Sequence, residues 1–215
     1  MNEIKPDFKG YLNVNKPKGP SSFDIVRKVK SMLSEKRVGH AGTLDPLASG
    51  VLVVAVGREN TKNINKIQNS KKTYIANIKL GETSLTDDGE GKITKTDFDK
   101  IPDKDNVQNC VNTFTGNILQ IPPAYSAKKL NGQRAYKLSR RGESVNLKPC
   151  RVTVYGINVI KYKWPHLQIE VLCSKGTYIR SLARDIGKYL ETGGYLDKLI
   201  RTSVGKYNIK DSISI

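Results

Sequence analysis

The sequence predicts an α+β protein built on a mixed, mainly antiparallel sheet. Three observations lead there. Strand-like runs recur along the chain, some joined by short turns and others by helical segments. Two segments, about Ser22–Leu33 and Tyr178–Leu190, carry apolar residues at helical spacing. One run, Val51-Leu52-Val53-Val54-Ala55-Val56, is apolar throughout and mostly β-branched, the pattern of a buried strand.

Taken in order, Tyr11-Leu12-Asn13-Val14-Asn15 reads as a short strand and Lys16-Pro17-Lys18-Gly19-Pro20 as a turn. Ser21 then stands where a helix N-cap is expected, with Asp24 three residues on. Ile25, Val26, Val29, Met32 and Leu33 are expected inward, with Arg27, Lys28 and Lys30 on the solvated face. The segment Arg37 to Gly50 holds three glycines, His40 and Asp45, and feeds directly into the buried strand. Pro46 biases Asp45 to an extended backbone and keeps it out of a helix.

Tyr74 to Leu80 alternates, as a half-buried strand does, and Gly81 to Gly91 is a polar loop containing Thr86, Asp87 and Asp88. Val107, Cys110, Val111 and Phe114 predict a helix stopping at Gly116. Strands are expected over Arg151–Ile160 and Leu167–Cys173. In the last helix Ile179, Leu182, Ala183, Ile186 and Leu190 point inward, and Gly193-Gly194 end it. With no repeat, low-complexity tract or linker, a single domain over 1–215 is expected.

Lys and Arg number 37 against 20 Asp and Glu in 215 residues, a formal net charge of +17. Such an excess points to a polyanionic partner, either nucleic acid or an anionic membrane surface. No segment approaches the roughly 20 apolar residues that span a bilayer. The charged start Met1 to Asp7 lacks the apolar core of a signal peptide. Nucleic acid in the cytoplasm is therefore the expectation, with no membrane. Cys110, Cys150 and Cys173 are far apart, lack C-x-x-C spacing and have neither histidine nearby in sequence. Neither a disulfide framework nor a metal site is indicated.

Six strings carry the chemistry. Asn15-Lys16-Pro17-Lys18-Gly19-Pro20-Ser21-Ser22 comes first, then Gly39-His40-Ala41-Gly42-Thr43-Leu44-Asp45-Pro46 and Lys71-Lys72-Thr73-Tyr74. Ile121-Pro122-Pro123-Ala124-Tyr125-Ser126-Ala127 and Ser174-Lys175-Gly176-Thr177-Tyr178-Ile179-Arg180 follow, with Tyr195 to Thr202 behind them. Alone, Asp45 would be a turn former, His40 a satisfied loop histidine and Tyr74 a core residue. Together, in this order from about Lys9 to Tyr207, the strings resemble the tRNA pseudouridine synthase B (TruB) family.

That resemblance implies the pseudouridine synthase fold and isomerisation of the T-loop uridine of tRNA, with no cofactor. It makes Asp45 the nucleophile, Tyr74 the ring stacked on the uracil, and Arg180 the partner that keeps Asp45 ionised. A guanidinium within ~4–6 Å lowers an aspartate pKa by roughly 1–3 units. His40 would fill the space left by flipped bases, Tyr178 would line the pocket and Leu199 would pack on the uracil edge. Lys16, in the first motif, joins the substrate-binding set.

The stretch of about 121–151 is expected to be an RNA-gripping insertion. From Lys128 to Arg151 eight basic residues, including Lys128, Lys129, Arg134 and Arg141, face one acid, Glu143, with Tyr136 interleaved. Two departures from the family stand out. Where relatives carry T-D-T-x-D, this chain has Ser84-Leu85-Thr86-Asp87-Asp88, so Leu85 replaces an aspartate. The chain also ends thirteen residues after Thr202, so a short form without the PUA-type C-terminal domain is expected. The expected partner is the T-arm of tRNA, bound by a monomer with no obligatory protein partner. A non-catalytic tRNA-binding or tRNA-folding protein is the alternative, and a guide-RNA-dependent synthase a third.

Overall fold

The computed structural model describes residues 7–130 and 132–215; positions 1–6, most of the charged start, lie outside them. Along the chain come β1 (Gly10–Lys16), α1 (Ser22–Leu33), β2 (Val38–His40), β3 (Ala48–Val56), α2 (Arg58–Lys62), α3 (Ile64–Gln68) and β4 (Lys72–Leu80). Then follow β5 (Glu82–Ser84), β6 (Ile93–Lys95), α4 (Lys104–Thr113), β7 (Gly116–Gln120), β8 (Lys129–Leu130), β9 (Gln133–Arg134) and α5 (Ala135–Arg140). The chain closes with β10 (Cys150–Lys163), β11 (His166–Cys173), α6 (Ile179–Tyr189), β12 (Gly194–Val204), β13 (Tyr207–Asn208) and a 3-10 turn. The α+β class and the mixed, mainly antiparallel pairing agree with the sequence expectation.

The residues group into two compact units, one comprising residues up to 75 together with 199–215, the other 76–198. In the first, β1 and β2 run antiparallel to β3, and β12 runs parallel to it. Leu52, Val54 and Val56 of β3 pack with Leu12 and Val14 of β1 against Ile25, Val29 and Leu33 of α1. The alternate residues Val51 and Val53 pack with Ala41 and Val204 on the other face, flanked by Ile64 and Ile67 of α3. Cover on both faces is why β3 is apolar throughout from Val51 to Val56. A strand tolerates a backbone as close as β12 only where it lacks a side chain. At Gly50 (φ +100°), paired with Arg201, an added Cβ would lie 2.3 Å from the Arg201 carbonyl oxygen.

The N-cap of α1 forms as its sequence predicts. The Ser21 side chain accepts from the Asp24 amide, and Asp24 accepts from the Ser21 amide at 2.8 Å. Met32, expected inward, is 48% exposed. At ~100° per residue it falls about 20° beyond the arc spanned by Ile25, Val29, Leu33 and Val26. The short helices α2 and α3, five residues each, leave no periodic trace long enough to read.

In the second unit, β11 lies between β4 and β10, and β7 flanks β10; β7 and β11 are antiparallel to β10. Alternate residues of β4 are buried, matching the expected half-buried strand. The helices α4 and α6 touch, and the buried Cys110 thiol, pushed up to about 12 by burial, faces the Ile186 carbonyl. At the end of α6 Glu191 (φ 59°) takes the left-handed position directly after the C-cap, and Gly193 of the expected glycine stop takes another at φ 69°. Gly187 and Gly194 serve close approach, since a Cβ on Gly187 would sit 2.3 Å from the Gly194 nitrogen. Between β7 and β10 the expected insertion holds the β8–β9 hairpin and α5.

Candidate active site

The first unit carries Lys16, His40, Asp45, Tyr74 and Leu199; the second carries Tyr178, Arg180 and the four basic residues of the insertion. Asp45 is half-buried in the loop between β2 and β3. Its neighbours are fastened one by one. The Ser22 hydroxyl accepts from the Leu44 amide at 2.8 Å and donates to the Leu44 carbonyl at 2.9 Å. The Gly19 amide donates to the Pro46 carbonyl at 2.8 Å, and the Ala48 amide to the Asp45 carbonyl at 3.0 Å. The Pro-Gly turn and the first residue of α1 thus hold the loop that carries the carboxylate.

Lys16 works inside that support. It is fully buried, and its ammonium donates to the Pro17 and Pro20 carbonyls at 2.8 Å each. Its ammonium lies within the turn and presents no charge to solvent. His40 ends β2 opposite Val54, and its Nδ1 is buried without a hydrogen-bond partner. Burial first, and then the Arg201 charge, hold its pKa below the ordinary value of 6.5, which favours the neutral ring. Tyr74 in β4 is 7% exposed. Leu199 in β12 pairs with Ala48, three residues beyond Asp45.

In the second unit Arg180 sits in the first turn of α6, 7% exposed. It pairs with Asp88 at 3.2 Å and donates to the Thr86 carbonyl at 3.2 Å and the Tyr125 carbonyl at 3.0 Å. Asp88 is 2% exposed and also accepts from the Thr86 hydroxyl (2.6 Å) and the Glu90 amide (3.0 Å). A second pair runs alongside: Arg184 bonds Asp87 at 2.8 Å and the Ile121 carbonyl at 2.9 Å. Burial raises the Asp87 pKa, against the opposing charge of Arg184. The departure at Leu85 is thereby explained, since that side chain is exposed while Ser84, Thr86 and Asp88 make the loop's polar bonds.

Sequence reading missed the residue that holds Tyr178. Gln120, at the end of β7 and 1% exposed, accepts from the Tyr178 amide at 2.8 Å and donates to the Tyr178 carbonyl at 3.0 Å. Its only sequence signal was its place just before the Ile-Pro-Pro string. Lys128, Lys129, Arg134 and Arg141 are all exposed, as a phosphate-binding surface requires. Arg134 also donates to the Ala127 carbonyl, and Arg141 pairs with Glu143. Arg140 lies over the Tyr136 ring, 5.6 Å from its centroid. Among the described residues no cluster of three His, Cys, Asp or Glu side chains is arranged to hold a metal, and no helix is long and apolar enough to cross a membrane.

The family model described as TruB family pseudouridylate synthase, N-terminal domain, matches residues 30–179, the span that contains His40, Asp45, Tyr74 and Tyr178. The chain belongs to the TruB family. A relative named tRNA pseudouridine synthase B, from Clostridium kluyveri, is 47% identical over 206 residues, covering 96% of this chain and 71% of that protein. One of the same name from Thermosipho melanesiensis is 47% identical over 205 residues, covering 95% and 67%. Among solved structures, a chain of a Cbf5-Nop10-Gar1 complex superimposes with a TM-score of 0.74 at 28% identity, over 98% of this TruB-family chain. A chain of an H/ACA RNP bound to a substrate RNA containing 2'-deoxyuridine gives 0.70 at 26%, over 99%. This chain spans 53% and 57% of the length of those two solved chains.

Proposed function

We propose that this protein is a tRNA pseudouridine-55 synthase, isomerising the T-loop uridine of tRNA to pseudouridine. The single observation that carries the reading is the 47% identity to a protein of that name along 96% of the chain. The fastening of the loop around Asp45 supports it, because a nucleophile requires a fixed direction of attack.

In this reading the target base leaves the RNA stack at a cost of a few kcal/mol. A neutral His40 occupies the space it vacates, and Tyr74 and Leu199 sandwich the uracil. Asp45 attacks, and Asp88 fixes the direction of the Arg180 fork. Tyr178, held by Gln120, lines the pocket. Lys128, Lys129, Arg134 and Arg141 contact phosphates. The isomerisation involves no net oxidation or hydrolysis, and the protein acts as a cytoplasmic monomer without a cofactor or an obligatory protein partner.

The test is release of tritium to water from a tRNA transcript labelled at uracil C5, with Asp45→Asn alongside. Release by the wild type alone supports both the reaction and its nucleophile. If both proteins bind the transcript and neither releases tritium, the protein is a tRNA-binding or tRNA-folding protein instead.

A further inference from the structure

Arg201 lies in β12, paired with Gly50 of β3, and is 1% exposed. Its guanidinium donates from Nε to the Val51 carbonyl (2.7 Å), from Nη2 to the Gly42 carbonyl (3.1 Å) and from Nη1 to the Thr43 carbonyl (3.4 Å). Among the described residues no carboxylate pairs with it. A buried cation without a counter-ion is unfavourable by several kcal/mol, so volume alone would be better filled by an apolar side chain.

The position of the three carbonyls gives the reason for an arginine. Gly42 and Thr43 precede Asp45, and Val51 follows it. One planar fork therefore joins the way into the loop to the way out. We propose that Arg201 is the positioning residue of the Asp45 loop, its guanidinium bridging Gly42 and Thr43 to Val51 and so setting the direction in which Asp45 faces the substrate. A lysine cannot replace it, because an ammonium is a point charge without the rigid fork that meets three separated carbonyls. The inference rests on Asp45 being the nucleophile, but the anchoring itself does not.

The experiment uses Arg201→Lys and Arg201→Gln in the full chain, with hydrogen exchange, RNA binding and single-turnover tritium release measured on each. The Leu44 and Ala48 amides, which bond Ser22 and Asp45, are expected to exchange faster while α6 amides keep wild-type protection. Single-turnover rate in Arg201→Lys is expected to fall about a hundredfold with affinity held within about threefold, the size of loss a 1 Å misplacement causes. A folded Arg201→Lys with the wild-type rate, or unchanged exchange at Leu44 and Ala48, overturns the proposal. Global loss of fold in both variants overturns it too, since Arg201 would then serve stability alone. If Asp45→Asn stays active, the reading of the site fails, and the exchange measurement still decides whether Arg201 holds the loop.

Discussion

Ser22 holds Leu44 from both sides, its hydroxyl 2.8 Å from the Leu44 amide and 2.9 Å from the Leu44 carbonyl. Ser22 is the first residue of α1 and 2% exposed, so a helix start is tied to the residue before Asp45. Ser22→Ala leaves a buried N–H and C=O without these bonds, at about 1–3 kcal/mol each at most. The expected result is lower stability in urea and a single-turnover rate that falls more than RNA affinity. Ser22→Thr keeps the hydroxyl and should recover most of the rate. A wild-type rate in Ser22→Ala would mean the clamp is irrelevant to Asp45.

Asp88 is a buried carboxylate on a buried arginine. Breaking such a pair by removing one partner costs about 3–5 kcal/mol. Asp88→Ala is expected toward the low end, because Arg180 keeps its bonds to the Thr86 and Tyr125 carbonyls. Asp88→Asn retains an acceptor for Thr86 and Glu90 and should cost less. Urea midpoints of the three proteins check the ranking, and equal midpoints would remove Asp88 as a structural partner.

His40 has a folded-state pKa below 6.5. The unfolded chain therefore takes up a proton as the pH drops through 6.5, while the folded protein does not until a lower pH is reached. Its contribution to stability is fully present above pH 6.5 and is lost as the pH falls from there toward the depressed value. With only two histidines in the chain, ring proton shifts report the titration directly. A midpoint for His40 at or above 6.5 contradicts the burial and the Arg201 charge together.

The insertion is expected to set the salt dependence of RNA binding. Each phosphate contact contributes about 0.7–0.9 to the slope of log K against log salt. Changing Lys128, Lys129, Arg134 and Arg141 to glutamine should flatten that slope by about 2–3. The Arg141 share is reduced by its pairing with Glu143. An unchanged slope places the RNA on another surface.

Local physics made much of the protein legible beforehand. The Ser21–Asp24 cap, the two-sided burial of β3, the alternation of β4 and the inward face of α6 all follow from periodicity over a few residues. Met32 was misread and the left-handed Glu191 missed for a local reason as well. An apolar side chain at the margin of a helical arc, and a non-glycine in the left-handed region, both run against the usual pattern.

The sequence by itself determined the α+β class, the order of the motifs and the residues of the Asp45 loop, because each is written in contiguous residues. Only the tertiary structure decided what those residues touch. Lys16 turned inward onto its own turn, Arg180 met Asp88, Gln120 took hold of Tyr178, and Arg201 reached the carbonyls around Asp45. Apart from the Lys16 contacts, these bonds join residues 92, 58 and 159 positions apart. Hydrogen bonds at such separations satisfy buried polar groups wherever the packed chain brings them together, and they leave no period behind in the sequence.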